Sequence, residues 1–276
     1  MEGFSAQTLN AYRLQAKLLI EHIGNINMNT IATLQLKSYL AESSNNLKPS
    51  SLSHRLRFIR SLFRWSHEEG IIELNPASKI KEPKVGKRIP KFLTEREIEY
   101  LRDACFSPIE KALFEFMFST GCRIGEIVSL DRNSINWGNQ SAFVHGKGDK
   151  EREVYFNIRC DIWLKKYLDS REDNDPAIFV TERSPHRMSI AQMRYIIKRI
   201  SKRAGINKTI HPHQLRHSYA THLLNNGAPL EVIQSLLGHE KSKTTRIYAQ
   251  LSGRIRQEFY KKLFLGSGRA TLIRSA

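Results

Sequence analysis

One short stretch, HPHQLRHSYATHLL at residues 211–224, combines residue types that could bind and transform a phosphate diester. His213 and Arg216 are three residues apart, so on a helix their side chains project from the same face. An arginine guanidinium can grip two non-bridging phosphate oxygens, and a neighbouring histidine can transfer a proton near neutral pH. The pair therefore predicts a site that acts on phosphate.

The same histidines allow two other interpretations. A metal site would use His211, His213 and His217, but it has no carboxylate or cysteine close by, and an arginine beside it would repel the cation. Histidines can also be structural, with their nitrogens satisfied by backbone groups. We favour this structural interpretation for His217 and His222 and consider the metal site the weakest of the three.

One arginine cannot stabilise a pentacoordinate phosphorus, so further cations must converge on the site. Arg123 in TGCRIGEI follows an apolar helix at a turn of small residues, where the backbone can pass close to a ligand. Lys147 lies at the tip of a predicted hairpin, and His239 follows a glycine that ends a helix. Each of them alone could be an ordinary exposed base or a capping residue.

A nucleophile is also required, and Tyr248 is the candidate, nine residues after His239. The sequence has no G-x-S-x-G turn and no cluster of acidic residues for a two-metal nuclease. A phenol with an ordinary pKa of about 10 is a poor nucleophile, but several nearby cations and a histidine would activate it. Tyr219 fits less well because it lies on an apolar helix face, and Tyr260 because it is far from His239.

The composition indicates a polyanionic partner. The chain has 276 residues, with 44 Lys and Arg against 27 Asp and Glu, which gives a net charge of +17. Such a charge attracts nucleic acid or an anionic surface. No apolar run reaches the ~18 residues of a membrane span, and the N-terminus does not have the pattern of a signal peptide. The three cysteines show no C-x-x-C spacing and indicate reduced, mostly buried thiols, so we expect a cytoplasmic protein.

The elements that must position these residues fall into two regions, separated by the segment KEPKVGKRIPK at residues 81–91. Its prolines, glycine and basic residues predict an extended linker lying along a phosphate backbone, with Lys87, Arg88 and Lys91 as DNA contacts. The predicted organisation is a DNA-binding domain, a linker, a catalytic domain and a flexible tail, at residues 1–82, 83–91, 92–265 and 266–276.

The first region is predicted to be all-helical, and its third helix, at about residues 50–69, is the most informative. An apolar stripe along this helix predicts its buried face, formed by Leu52, Leu56, Ile59 and Phe63. Beside the stripe, three arginines share an arc of about 60°. They are Arg57, Arg60 and Arg64. A solvated face is the simpler interpretation, but within the arginine stretch, residues 57–64, no acidic residue lies four positions from an arginine, so we predict a helix that faces DNA.

The second region is predicted to be mainly helical with one small antiparallel sheet. Thr94 and Glu97 have the spacing of a capping box that begins a helix. Two alternating runs around Gly146–Lys150 predict a β-hairpin. Further helices are predicted near residues 159–171 and 189–204, followed by the stretch that contains His213.

Four motifs, in this order and at this spacing, resemble those of the tyrosine recombinases, or phage integrase family. They are TGCRIGEIVSL, GKGDKER, HPHQLRHSYATHLL and LLGHEKSKTTRIYAQL. The Xer-like simple members are the most similar, since no long insertion interrupts the second region. The resemblance covers essentially the whole chain, with a SAM-like core-binding domain before the linker and the catalytic domain after it.

The resemblance implies a role for each candidate residue. Arg123 and Arg216 would grip the scissile phosphate, and Lys147 would protonate the 5′-hydroxyl leaving group. His213 would transfer a proton, and His239 would hydrogen-bond to the phosphate. Tyr248 would form a 3′-phosphotyrosine, so that strands are exchanged without ATP or metal.

The resemblance also implies a brace and partners. Glu126 matches an acidic position that would brace the arginines rather than react. Double-stranded DNA core sites would each bind a dimer, and two sites would synapse in a tetramer through a tail helix near residues 252–264, with or without a partner recombinase. Two alternatives stay open: relaxation of DNA by type IB topoisomerase-like chemistry, and a DNA-binding regulator without catalysis.

Overall fold

The computed structural model describes residues 4, 6–82, 92–146 and 151–238. The chain divides into two compact units, Met1–Arg88 and Ile89–Ala276. This division falls within the segment that the sequence predicts as a linker. The segment itself lies outside the described residues, together with its predicted DNA contacts Lys87, Arg88 and Lys91.

The first unit consists of three α-helices and one short 3-10 helix within its described residues, as its periodicity predicts. Pro49 begins the third helix at a position where its missing N–H is not needed. The predicted stripe on this helix is buried at Leu56, Ile59 and Phe63 and partly buried at Leu52. The α-helices are α1 (Ala6–Ile23), α2 (Thr33–Asn46) and α3 (Pro49–Glu68), and the 3-10 helix is Met28–Thr30.

The second unit contains seven α-helices and one sheet in the part of it that the structure describes. The helices are α4 (Glu95–Asp103), α5 (Pro108–Thr120), α6 (Ile124–Val128), α7 (Ile158–Asp169), α8 (Ile190–Arg203), α9 (Pro212–Asn225) and α10 (Leu230–Leu237). The strands are β1 (Ile135–Asn136), β2 (Ser141–His145) and β3 (Glu151–Tyr155). The predicted fold class, mainly helical with a small antiparallel sheet, is confirmed.

The sheet has the order β1-β2-β3, with both pairings antiparallel. The predicted hairpin joins β2 and β3, and His145 pairs with Glu151 at the end nearest the loop. Strand β1 was not predicted because two residues are too short to show alternation. The register places Val144 opposite Arg152, so the base of the hairpin is fixed on both sides of its loop.

Helix α5 lies at the centre of the second unit and packs against α7, α8 and α9. Its apolar side chains, such as Phe114 and Phe116, are almost completely buried. The predicted capping box begins α4, where the Thr94 hydroxyl accepts a hydrogen bond from the Glu97 N–H. All three cysteines are free and buried, and burial raises the pKa of Cys122 to about 11. Within the described ranges, no helix is long and apolar enough to cross a membrane.

Candidate active site

Arg123 is positioned by the sharp end of α5. The helix stops at Gly121, whose φ of 61° lies in the left-handed region that glycine adopts without strain. Two residues later, Arg123 is the N-cap of α6. Its side chain is 38% exposed and can therefore reach a ligand from the site surface.

Glu126 is the buried carboxylate that holds this arginine. Its Oε2 accepts a hydrogen bond from the Arg123 backbone N–H at 2.7 Å, and its Oε1 accepts one from Arg123 Nη1 at 2.7 Å. A second arginine, Arg152 on β3, donates to both oxygens at 2.8 Å. Burial by itself would raise the pKa of Glu126, but Arg152 and Arg123 outweigh it and lower the pKa to about 2. The carboxylate is therefore ionised at neutral pH.

Arg216 lies on α9, which packs against α5, and it is buried with 4% exposure. Its Nη1 donates to the Gly121 carbonyl at 2.6 Å, and its Nη2 donates to the Leu237 carbonyl. Glu126 is thus a hydrogen-bond partner of Arg123 and Arg152, whereas Arg216 is oriented by backbone carbonyls. Two of the three arginines therefore share one carboxylate, and the third is held by the backbone.

The end of α10 is where the three arginines converge. Arg152 Nε donates to the Leu236 carbonyl, Arg216 Nη2 to Leu237 and Arg123 Nη2 to Gly238, three consecutive residues. The last carbonyls of a helix have no partner within the helix, and the negative end of its dipole attracts cations. The end of α10 therefore fixes three guanidinium groups side by side.

Positive charge is in excess at this place. In the described part of the chain, three guanidinium groups lie around the carboxylate of Glu126. Desolvation and the neighbouring charge of Arg123 lower the pKa of Arg216 to about 10, which still leaves it protonated at pH 7. A buried cation that lacks a matching carboxylate gains from a bound anion. The arrangement fits a bound phosphate group, two of whose oxygens would accept hydrogen bonds from these guanidinium groups.

His213 lies one helical turn before Arg216 at the start of α9. The Gln214 side chain caps this helix by accepting from the His211 N–H at 2.8 Å, which fixes the first turn. Partial desolvation and the nearby charges of Arg216, Arg194 and Arg123 lower the pKa of His213 below its usual value. These surroundings therefore favour the neutral form of His213, which can accept a proton.

The remaining histidines of the stretch have structural surroundings. The pKa of His217 is lowered by burial and by the charges of His213 and Arg216. His222 shares a hydrogen bond with the Asn226 side chain, with a nitrogen–nitrogen distance of 3.0 Å, and its ring lies near that of Phe118. Among the residues that the structure describes, no group of three His, Cys, Asp or Glu side chains could hold a metal ion.

Three predicted site residues, Lys147, His239 and Tyr248, lie outside the described residues. Their flanks are described: β2 ends at His145 before Lys147 and β3 begins at Glu151 after it. Helix α10 ends at Leu237, and its C-cap Gly238 directly precedes His239. The excluded candidate Tyr219 packs its ring against Gly121, and burial raises its pKa to about 12.

Arg152 is the site residue that the sequence interpretation missed. The signal was present in EREVYF, because residues two apart on a strand face the same side. Val154 and Phe156 are buried, so Arg152 shares their inward face, and its side chain is 13% exposed. An inward-facing arginine requires a partner, and this pattern could have predicted one.

The arginines predicted on α3 lie in the first unit around a cavity of about 290 Å³, which Asn75, Ala77 and Ser78 also line. Arg57 forms an ion pair with Glu82, with Nη2 and Oε1 2.9 Å apart. This acidic partner comes from beyond the helix, where helical spacing could not reveal it. Arg60 donates to the Ile80 carbonyl, and Arg64 is exposed.

Two family profiles match the sequence. The phage integrase family profile matches residues 91–254, and the profile of the phage integrase N-terminal SAM-like domain matches residues 1–70. Tyrosine recombinase XerD of Proteus mirabilis is 35% identical over 266 residues, which cover 91% of this chain and 85% of the relative. Tyrosine recombinase XerC of Oceanobacillus iheyensis is 33% identical over 256 residues, covering 88% and 82%.

Solved structures share the fold at lower identity. A lambda integrase dimer bound to a COC′ core site has a TM-score of 0.77 and 20% identity, covering 92% of each chain. The XerH site-specific recombinase bound to a palindromic difH substrate, a post-cleavage complex, has a TM-score of 0.76 and 21% identity, covering 94% of this chain and 80% of its own.

Proposed function

Because the chain belongs to the phage integrase family and is a tyrosine site-specific recombinase, we propose that it exchanges DNA strands through a 3′-phosphotyrosine intermediate. The observation that carries this mechanism is the cluster of Arg123, Arg152 and Arg216 around one carboxylate, with His213 beside it in surroundings that favour its neutral form. Arg123 and Arg216 bind the non-bridging oxygens of the scissile phosphate, where negative charge grows in the transition state.

In the cleavage step, the Tyr248 oxygen attacks phosphorus and the bond to the 5′-oxygen breaks. His213 accepts the phenol proton, Lys147 donates a proton to the leaving 5′-oxygen, and His239 hydrogen-bonds to the phosphate. The new phosphotyrosine ester keeps the energy of the broken bond. A 5′-hydroxyl of a second strand can therefore reverse the step and release Tyr248, so the proposed chemistry uses neither ATP nor a metal ion.

Double-stranded DNA is the proposed partner, in the cytoplasm, with one dimer on each core site and a tetramer in the synapse. The net charge of +17 and the arginines of α3 support binding along the phosphate backbone. The lambda integrase and XerH structures contain DNA-bound proteins, which supports the same partner here. The linker residues Lys87, Arg88 and Lys91 are proposed to contact the backbone as well, and a partner recombinase could occupy half of the tetramer.

The test begins by finding the target site. The full-length protein is incubated with sheared genomic DNA of its source organism, and fragments that stay attached after denaturation are recovered and sequenced. We expect covalent attachment by the wild type and none by Tyr248→Phe. Absence of an adduct with the wild type would favour a DNA-binding regulator, and an adduct with Tyr248→Phe would exclude Tyr248 as nucleophile.

Two marked copies of the recovered site then distinguish recombination from relaxation. Recombination yields exchanged products, whereas type IB topoisomerase-like activity relaxes supercoils and exchanges nothing. The reaction is repeated with EDTA, and we expect unchanged yields. A requirement for a divalent metal would contradict the proposed chemistry and restore the metal interpretation of the histidines.

A further inference from the structure

One guanidinium group connects three elements of the site. Arg152 lies at the start of β3, directly after the hairpin loop, and its side chain reaches across to α6 and α10. Its two Nη atoms donate to the two oxygens of Glu126 at 2.8 Å, and its Nε donates to the Leu236 carbonyl at 3.2 Å. All three nitrogens of the Arg152 guanidinium group therefore donate hydrogen bonds.

The side chain of Arg152 packs closely against the end of α10. Gly238 ends α10 with a φ of 60°, and a Cβ atom built there would lie 2.9 Å from Arg152 Cδ. The glycine is thus required twice, for its left-handed conformation and for the space that Arg152 occupies. The residue that leads into His239 is held in contact with this arginine.

A buried ion pair of this kind is weak evidence for stability, because desolvation offsets most of the attraction between the charges. What it provides here is geometry. The Arg152 fork fixes the plane of the Glu126 carboxylate, and the same carboxylate orients both the backbone and the side chain of Arg123. A shift of the carboxylate would move the phosphate-binding arginine with it.

We infer that Arg152 is a positioning residue for strand cleavage: its contacts with Glu126 and the end of α10 align Arg123 and the start of the segment leading to His239 and Tyr248. This inference rests on the proposed function, since Arg152 would align residues that act in strand cleavage. It assigns no chemistry to Arg152 itself. The effect of losing Arg152 should therefore fall on the rate of cleavage rather than on the affinity for DNA.

The second unit offers a matched control in Arg102. This arginine also grips a buried glutamate, with Nε 2.6 Å from Glu115 Oε1 and Nη2 3.3 Å from Glu115 Oε2. The exposures correspond closely: 16% and 3% for Arg102 and Glu115, and 13% and 4% for Arg152 and Glu126. The Arg102 pair joins α4 to α5, and its contacts involve none of the site residues.

The experiment compares Arg152→Lys with Arg102→Lys in the full-length protein. Each variant is assayed for its melting temperature, its dissociation constant for a nicked duplex carrying the recovered site, and its single-turnover rate of covalent attachment at saturating protein. Lysine keeps the charge but cannot bridge two oxygens and a carbonyl in one plane. We expect Arg152→Lys to slow attachment by about 10- to 100-fold, since misplacement of about 1 Å can cost that much. Binding should stay within about 3-fold, and Arg102→Lys should leave the rate close to that of the wild type.

A double substitution tests whether Arg152 acts through Glu126. If it does, Arg152→Lys combined with Glu126→Gln should be less impaired than the product of the single effects predicts. Equal rates for the two lysine variants, fully multiplicative effects in the double variant, or a loss of binding that accompanies the loss of cleavage would each overturn the inference. The proposed function fails on a different result: no adduct with the wild type, or an adduct with Tyr248→Phe.

Discussion

The molecule uses arginine in two ways, on α3 of the first unit and in the site of the second. The Arg57 side chain is 64% exposed and its partner is a surface glutamate, whereas Arg216 is 4% exposed and bound to two backbone carbonyls. An exposed arginine can adjust to any phosphate along a duplex, and salt screens its attraction. A buried arginine held at two atoms offers one geometry, which is what the stabilisation of a transition state requires.

The largest effect should come from weakening the most rigid arginine of the site. Arg216→Lys keeps a positive charge near the phosphate but loses the fork that bridges Gly121, Leu237 and the substrate. We expect covalent attachment to slow by about 10²- to 10³-fold, the usual cost of removing one preorganised donor. The measurement is single-turnover attachment at saturating protein, with the dissociation constant for DNA changed much less. If Arg64→Lys on α3 slowed attachment equally, the contrast between the two groups of arginines would be wrong.

The carboxylate inside the arginine cluster should make stability depend on pH. The pKa of Glu126 is about 2, below its ordinary 4.5, so its contribution is complete above pH 4.5 and is lost as the pH falls from there towards 2. The difference of the two pKa values corresponds to roughly 3 kcal/mol. Denaturant unfolding of the wild type and Glu126→Gln, followed from pH 6 to pH 2, measures it.

The difference in the free energy of unfolding between the wild type and Glu126→Gln should narrow as the pH falls from 4.5 towards 2, because glutamine does not titrate. If the free energies of unfolding of the two proteins stay parallel when plotted against pH, the arginines do not hold Glu126 ionised.

A third prediction concerns the turn that supports Arg216. Gly121 and Gly205 have almost the same φ, 61° and 64°, so alanine suffers the same backbone strain at either position, about 1–2 kcal/mol. Around Gly205 a new Cβ meets nothing within 4 Å, whereas at Gly121 it would lie 2.4 Å from Tyr219 Cδ1. We expect Gly121→Ala to be less stable than Gly205→Ala by about 1–3 kcal/mol, the usual cost of overpacking.

Thermal or denaturant unfolding of both variants checks this difference. Gly121→Ala should also slow covalent attachment, because the Gly121 carbonyl accepts a hydrogen bond from Arg216. Equal stabilities would mean that the Tyr219 ring can move aside, and that the end of α5 is less rigid than its contacts indicate.

Local patterns predict most of the fold. Periodicity and caps are properties of neighbouring residues, so the helix that begins after Thr94, the hairpin and the stripe of α3 follow directly from the sequence. Leu9 is an exception: its spacing from Tyr12, Ala16 and Leu19 predicts a place on one buried stripe of α1, but it is 42% exposed. Burial depends on the neighbouring helices and not on the helix alone.

The site is predictable only in part, for a related reason. The types and spacing of Arg123, His213 and Arg216 indicate phosphate chemistry by themselves. Of their supports, the resemblance implied Glu126, which holds Arg123. The backbone carbonyls that hold the arginines could not be predicted, because they carry no side-chain signal and any residue could supply them. Arg152 combines both problems: its inward position follows from alternation, but its partner Glu126 is 26 residues away in the sequence.

The smallest effect should come from the exposed arginines, and it should differ in kind. If Arg64 contacts a phosphate as proposed, Arg64→Ala removes that contact from α3, so binding to DNA should weaken several-fold, and the slope of log affinity against log salt should fall by about 1. The rate of covalent attachment at saturating protein should stay unchanged, since a contact that only binds DNA does not lower the barrier of the bound complex. Arg13→Ala on α1 is the control, because it removes the same charge from an exposed position of the same unit. If Arg64 contacts DNA directly, Arg64→Ala should change the salt slope more than Arg13→Ala does. Identical slopes for the two variants would mean that α3 acts only through net charge and that its arginines form an ordinary solvated face.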